Sequence, residues 1–379
     1  MSFIKKYLLL LVCTLVICVT ATATASPIAM RGIVEGFYGT EWTKAERLDM
    51  FDFMVDKELN TYIYAPKDDP YHRSKWREPY PADKSEELAE LAAAARAKNL
   101  HFIYAISPGL DLGDDIKIEA LEVVKKFHDL EKIGITEFAI FLDDIKEKDA
   151  RKHADLINLV SYVYPNLVVV PTEYFLLQMK GYTREFAAAI NADSLVLYTG
   201  KSVCPDGLTE EDILDFQAIY PRSRIGIWWN YPVNDYQPTK LALGAVDKMP
   251  KAVHRIEAFL MNPMSRAELS KIALSTGADF ALDPAAYDQE KSLTEAIDRL
   301  YAKYGVAKEM QRFARSRTRL KNSWAMIGQE ELELSAEENQ KIIAKFKEKL
   351  PPKIVAEIVG EVIAGDAAKV NQLNAEQAK

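Results

Sequence analysis

Phe138-Ala139-Ile140-Phe141-Leu142-Asp143-Asp144 is a run of five apolar residues ended by two acids, and residues 150–162 beyond it return apolar side chains at helical spacing. A short buried strand followed by an amphipathic helix fits this pattern. The same alternation extends in both directions. Apolar runs at 32–37, 60–64, 101–106, 138–142, 167–170, 195–198, 224–228 and 258–261 predict eight strands, with helices between them such as 44–57, 85–98, 116–132 and 150–162. Eight βα units predict an α/β fold, a closed (β/α)8 barrel of the TIM type. An open doubly wound sheet has fewer strands and a glycine-rich first turn, and neither fits here. From about Arg266 the strand signal stops. Residues 292–304, 307–326, 336–349 and 354–363 read as helices, with Pro351 and Pro352 breaking the last pair. The expected division is a barrel over 26–300 and a C-terminal helical appendage over 301–379. Arg312, Arg315, Arg317, Arg319 and Lys321 in that appendage read as a solvated helix face.

The composition is that of a globular chain: 379 residues, 49% hydrophobic, 27% charged, with 16 Gly and 17 Pro. A net charge of −8 disfavours nucleic acid and anionic membrane surfaces as partners. Lys5 and Lys6 precede an apolar run from 7 to 19, and a small-residue stretch ends at Ala23-Thr24-Ala25. Residues 1–25 therefore read as a secretory signal peptide, since 13 apolar residues fall short of the ~20 that span a bilayer. The expectation is an exported protein, periplasmic or secreted, with no stable membrane anchor after cleavage. Removing Lys5 and Lys6 moves the charge to −10, and losing Cys13 and Cys18 leaves Cys204 alone. No internal disulfide is then expected, so stability rests on the core.

A barrel of this type gathers its βα loops at the C-terminal ends of the strands, which is where chemistry is expected. Those ends read Glu35-Gly36-Phe37-Tyr38-Gly39, Pro66-Lys67-Asp68-Asp69-Pro70, Ser107-Pro108-Gly109, Asp143-Asp144, Thr172-Glu173-Tyr174, Thr199-Gly200, Trp228-Trp229-Asn230 and Asn262-Pro263. Aromatic rings pack on sugar C–H faces, while amides and carboxylates bind hydroxyls, so this concentration suits a sugar pocket. Asp143-Asp144 is the sharpest feature. Like charges held close disfavour joint ionisation, which lets one acid carry a proton while its neighbour stays anionic.

These segments, with Tyr64-Ala65-Pro66-Lys67-Asp68-Asp69-Pro70-Tyr71, Pro171-Thr172-Glu173-Tyr174, Trp228-Trp229-Asn230-Tyr231-Pro232-Val233-Asn234-Asp235 and Met261-Asn262-Pro263-Met264, resemble glycoside hydrolase family 84. The resemblance runs from about Arg31 to Met264. It implies a β-N-acetylglucosaminidase of the O-GlcNAcase kind: retaining, exo-acting on terminal β-GlcNAc, with the substrate's own acetamido oxygen as nucleophile and an oxazoline intermediate. On that basis Asp143 orients the acetamido N–H, and Asp144 is the general acid and then the general base. By similarity Tyr174, Thr199, Val203 and Trp228 wall the acetamido pocket, Gly36, Lys67, Asn230, Asp235 and Asn262 bind the sugar, and Tyr38 borders it. The implied partner is a carbohydrate or glycoprotein bearing β-GlcNAc, with no cofactor. Two roles stay open for the tail, a homodimer contact or packing under the barrel.

The chain departs from the family pattern at Glu41, where Pro is frequent, at Tyr198, where Trp is common, and at Val170, where Cys is often found. The domain that precedes the barrel in many bacterial members is not expected before the first strand. His72, His101, His128, His153 and His254 lack metal-binding spacing and read as loop or surface residues, so no metal is expected. Gly200-Lys201-Ser202 lacks the leading glycine of a phosphate loop. The rival readings are an endo-acting hyaluronidase-type or peptidoglycan-directed hydrolase, and a barrel that binds amino sugars without cleaving them.

Overall fold

The computed structural model describes residues 27–359 except 239, 254 and 318–333. Eight parallel strands close into a barrel in sequence order: β1 Met30–Glu35, β2 Thr61–Tyr64, β3 His101–Ile106, β4 Glu137–Phe141, β5 Val168–Val170, β6 Leu195–Tyr198, β7 Arg224–Trp229 and β8 Ala258–Met261. β1 pairs β8 through Gly32 opposite Leu260, which completes the ring. A Cβ at position 32 would lie 1.7 Å from the Thr61 carbonyl oxygen, so only glycine permits this approach of β1 to β2.

Side chains alternate between two cores. Val34, Ile63, Ile103, Ala105, Ala139, Phe141, Val168, Val170, Leu195, Leu197, Ala258 and Leu260 fill the barrel interior. Their sequence neighbours, such as Phe102, Phe138, Ile140 and Phe259, belong to the outer core beneath the helices. Helices α1 Lys44–Asp56, α2 Ala82–Ala97, α3 Ile116–Glu131, α4 Ala150–Ser161, α5 Gly181–Ala189 and α6 Glu210–Ile219 follow the first six strands. Thr43 and Thr209 start α1 and α6 with capping boxes. The seventh unit departs from the expected pattern: the described residues between β7 and β8 contain no helix. A long loop takes its place and supplies Asn230 and Asp235.

The appendage begins from α7 Ala267–Leu282, which follows β8 and is buried along nearly its whole length. α8 Gln289–Tyr301, α9 Ala307–Arg315, α10 Ala336–Lys349 and α11 Pro352–Val359 continue it. α7 has no side-chain cap of its own at Arg266. Glu357 of α11 supplies one, accepting the backbone N–H groups of Glu268 at 3.1 Å and Leu269 at 2.8 Å. The described tail thus docks on the last barrel helix. Arg312 and Arg315 are paired with Glu338 and Glu290, as befits a solvated face, while Arg319 and Lys321 lie outside the described residues. The leader expected over 1–25 lies outside them too. Among the described residues no helix is long and apolar enough to cross a membrane.

Candidate active site

The inward alternation does not stop where the strands stop. One or two steps beyond the interior layer it reaches Gly36 after Val34, Lys67 after Ala65, Ser107 after Ala105, Asp143 after Phe141, Thr199 after Leu197 and Asn262 after Leu260. Apart from β1, which offers Gly36, these strands therefore aim a polar residue into the mouth. Lys67, Ser107, Asp143, Thr199 and Asn262 are all buried.

Asp143 Oδ2 accepts from Lys67 Nζ at 2.5 Å, with both side chains withdrawn from water. Burial pushes the Asp143 carboxyl up, but the Lys67 ammonium and the Arg73 guanidinium outweigh it and hold the group below the usual range. Its other oxygen, Oδ1, is buried and has no hydrogen-bond partner among the described residues. An anion with a spare acceptor in a dry pocket is poised for an incoming donor.

Asp144 would face outward with Leu142 if the strand continued. Instead its backbone turns left-handed, with φ +56°, a conformation Asp tolerates better than most residues. The turn brings its carboxylate to two phenols: Tyr38 Oη donates to Oδ2 at 2.8 Å and Tyr174 Oη to Oδ1 at 2.9 Å. Adjacent acids thus reach the mouth by different means, one by alternation and one by a break in it.

Around them, Trp228 lies in the interior cluster with its ring 5.4 Å from Phe141 and 6.4 Å from Tyr174, and Val203 packs at the edge. The Trp228 indole N–H is buried without a partner among the described residues. A Cβ on Gly36 would come within 2.8 Å of the Trp228 ring, so this glycine is more than a turn residue. Gly36 N–H donates to Asn262 Oδ1 at 3.3 Å, Asn262 Nδ2 donates to Asn230 Oδ1 at 2.9 Å, and Asn230 Nδ2 donates to the Val203 carbonyl at 2.9 Å. This chain ties β1, β8, β7 and the loop after β6 together. Thr199 spends its hydroxyl proton on the Ser202 carbonyl at 2.7 Å and its N–H on the Tyr174 carbonyl, which shapes the loop carrying Val203. Asp235 accepts the Tyr38 N–H at 2.8 Å, and burial lifts its carboxyl to about 6 against that bond.

Arg73 escaped the sequence reading, and Ser107 was placed at a strand end there but given no role. Arg73 donates to Tyr38 Oη at 3.0 Å and to the Asp144 carbonyl at 3.3 Å. Ser107 carries a buried hydroxyl without a partner among the described residues. The end of the third strand marked Ser107, whereas nothing local marks Arg73.

The histidine reading needs correction. His72 and His153 are fully buried. His72 lies at 2.6 Å from the Ala105 carbonyl through Nδ1, and burial with the nearby Lys67 charge lowers its pKa to about 3, so it is neutral. His153 Nδ1 meets Tyr182 Oη at 3.0 Å beneath the loop after β5. His101 and His128 are exposed, and His254 lies outside the described residues. The three departures also find a physical place. Glu41 pairs with Arg47 at 2.6 Å, Tyr198 stacks on Phe216 in the outer core, and Val170 fills the barrel interior.

A family model described as beta-N-acetylglucosaminidase matches residues 31–315. Protein O-GlcNAcase of Rattus norvegicus and that of Mus musculus are each 32% identical over 267 residues, covering 65% of this chain and 29% of theirs. The chain spans under a third of the length of these curated relatives. Among solved structures, that of CpGH84B superposes with a TM-score of 0.75 at 33% identity, covering 92% of this chain and 62% of that one. A mutant of the Thermobaculum terrenum O-GlcNAc hydrolase gives a TM-score of 0.76 at 27% identity, over 91% of this chain and 82% of its own. With the family model covering the entire barrel, the chain belongs to the β-N-acetylglucosaminidases of glycoside hydrolase family 84.

Proposed function

We propose that the protein is a retaining exo-β-N-acetylglucosaminidase, O-GlcNAcase-like, that removes terminal β-GlcNAc from glycoconjugates by substrate-assisted catalysis. The observation that carries this reading is the asymmetry of the adjacent acids. Asp143 is clamped as an anion by Lys67 with one buried oxygen unused, while Asp144 touches two phenols at the open mouth. An unused carboxylate oxygen suits an amide N–H. By accepting it, Asp143 raises the electron density on the acetamido carbonyl oxygen, which attacks the anomeric carbon. The bond to the aglycone breaks as Asp144 passes its proton to the leaving oxygen, leaving a protonated oxazoline whose N–H stays bonded to the Asp143 carboxylate. Asp144, now a carboxylate, takes a proton from water as that water adds to the anomeric carbon and reopens the ring with overall retention. No protein nucleophile is required.

Trp228, Tyr174 and Val203 offer the apolar wall for the acetamido methyl group. The names of the relatives, O-GlcNAcase and O-GlcNAc hydrolase, support the sugar assignment. The test is hydrolysis of 4-nitrophenyl β-GlcNAc followed by proton NMR of the first sugar released. Phenol release with β-configured GlcNAc supports the reading. An α-configured product contradicts it, and no phenol at any concentration leaves a binding barrel. Early loss of hyaluronan viscosity, or oligosaccharides from peptidoglycan, would replace the exo reading with an endo one.

The leader-like pattern of residues 1–25 further supports export, periplasmic or secreted, which makes the substrate a glycoconjugate met outside the cytoplasm. N-terminal sequencing of the protein from its native source tests this: a start near Ser26 fits, and a start at Met1 does not. A homodimer through the tail is tested by mass in solution.

A further inference from the structure

Arg73 is the buried cation near the acids that the proposed mechanism leaves without a task. It sits on the loop after β2, and that loop is pinned to β3 twice: His72 Nδ1 meets the Ala105 carbonyl at 2.6 Å, and the Ser107 N–H donates to the His72 carbonyl at 2.9 Å. Farther along, Trp76 Nε1 donates to Asp111 at 2.7 Å. The guanidinium therefore has a rigid base. Its fork spans two targets at once, the Tyr38 hydroxyl at 3.0 Å and the Asp144 backbone carbonyl at 3.3 Å, and its carbon lies 5.4 Å from the centre of the Tyr38 ring.

Each contact has a directional consequence. A phenol has one proton and accepts through the same oxygen. Because Arg73 can only donate, the Tyr38 oxygen is the acceptor there, and its proton is directed to Asp144 Oδ2 at 2.8 Å. The second contact falls on the carbonyl of the one residue whose left-handed backbone brings its carboxylate to the mouth. That conformation is disfavoured for an L-residue and persists where the surroundings hold it.

We propose that Arg73 is the positioning residue of the acid pair: it aims Asp144 through the Tyr38 hydroxyl and holds, through the Asp144 carbonyl, the turn that presents it. The proposal deepens the glycosidase reading and rests on it for its kinetic arm only. A guanidinium fork suits the task because two parallel N–H groups on a rigid plane reach a side-chain and a backbone oxygen together, a geometry that a point-like ammonium does not fix. The titratable groups facing the pair are Tyr38 after β1, Lys67, His72 and Arg73 after β2, Tyr174 after β5 and Asp235 after β7. Among these, Lys67 and then Arg73 oppose the burial that would raise the Asp143 carboxyl.

The test uses the full chain in two variants, Arg73→Met, which removes both fork and charge, and Arg73→Lys, which keeps the charge. Three readouts are taken: kcat/KM over aryl β-GlcNAc substrates of graded leaving ability, the acidic limb of the pH profile, and a crystal structure of each variant. Arg73→Met is expected to lose roughly 10- to 100-fold in kcat/KM, most on poor leaving groups, with its acidic limb moved to higher pH. Arg73→Lys should bring the limb back without restoring the leaving-group dependence. In both crystals the Tyr38 to Asp144 contact should open and Asp144 should leave positive φ. An unchanged Asp144 turn, or a loss of thermal stability with parental leaving-group slope and pH limb, would overturn the proposal. If the parent protein cleaves no β-GlcNAc glycoside, the glycosidase reading fails and the crystal geometry alone decides the role of Arg73. If Arg73→Met does not fold, the position of Asp144 in the Arg73→Lys crystal decides between the same two outcomes.

Discussion

The two rims of this barrel are built from the same strands and treat charge in opposite ways. β4 begins with the half-buried Glu137, which pairs with the exposed His101 at 2.9 Å. Just beyond its other end stands Asp143, paired with Lys67 and with 1–2% of either side chain exposed. At the lower rim Arg224 and Glu257 likewise meet half-buried, within reach of water. A cavity of about 700 Å³ opens at that rim too, lined by His101, Glu137 and Arg224. Space alone does not select a site. What sets the upper rim apart is that loops fold over it and take ionised groups out of water, where each charge interacts strongly and an unpaired one is costly. Pairs within reach of water at the lower rim keep their hydration and contribute only about 0–1 kcal/mol each.

The sharpest break of this contrast is Lys67→Met. The Asp143 carboxyl is depressed because Lys67 and Arg73 outweigh burial, so it contributes stability above its unfolded pKa near 4 that is lost as pH falls through the lower folded value. Without Lys67 the largest force opposing burial is gone, and the carboxyl should move up. The variant should lose at least ~3 kcal/mol in urea titrations at pH 7, drop about 10²- to 10³-fold in kcat/KM, and show an acidic limb displaced to higher pH. Parental stability and pH profile would mean that the upper rim is as wet as the lower.

Asp235→Asn gives a smaller effect of opposite sign. Burial raises this carboxyl to about 6, so the folded state holds its proton longer than the unfolded one, and stability declines as pH rises from about 4 to 6. Two pKa units correspond to at most about 3 kcal/mol. The variant lacks that slope, so the Tm of the parent relative to the variant should be higher at pH 5 than at pH 7. A difference independent of pH would show that Asp235 is not desolvated. Smallest of all, Glu137→Gln at the lower rim should change stability by about 0.5 kcal/mol or less and leave kcat/KM unaltered.

The same contrast explains what the amino-acid sequence made legible. Strand positions were readable because apolar runs buried on both faces leave an unbroken pattern, and all eight occur in the barrel. Period-two alternation carried past the strand ends reaches Lys67, Ser107, Asp143, Thr199 and Asn262, all at strand ends that the sequence already marked. Asp144 does not follow the alternation, since only its positive φ turns it to the mouth. Arg73 was hidden for a different reason. Its role depends on how the loop after β2 folds back over β1 and β4, and a contact across 71 residues leaves no periodic trace. The buried histidines were misread similarly: His153 lies on the covered face of a helix that spacing alone identified, but its burial depends on Tyr182 and Thr172 from elsewhere in the chain. The seventh unit was overcounted because eight strands were taken to imply eight helices, and the segment between the last two is a loop.

The unequal duties of the two neighbouring acids are tested most directly by leaving-group dependence. Asp143→Asn and Asp144→Asn are compared with the parent over aryl β-GlcNAc substrates running from strongly to weakly acidic phenols. Asp144→Asn should keep much of its rate on the most acidic phenols and fall steeply on the least acidic, because those need the proton it no longer supplies. Asp143→Asn should be slow on all of them with the parental slope, since the steering of the acetamido group is needed whatever departs. Equal slopes for the two variants would contradict the assignment.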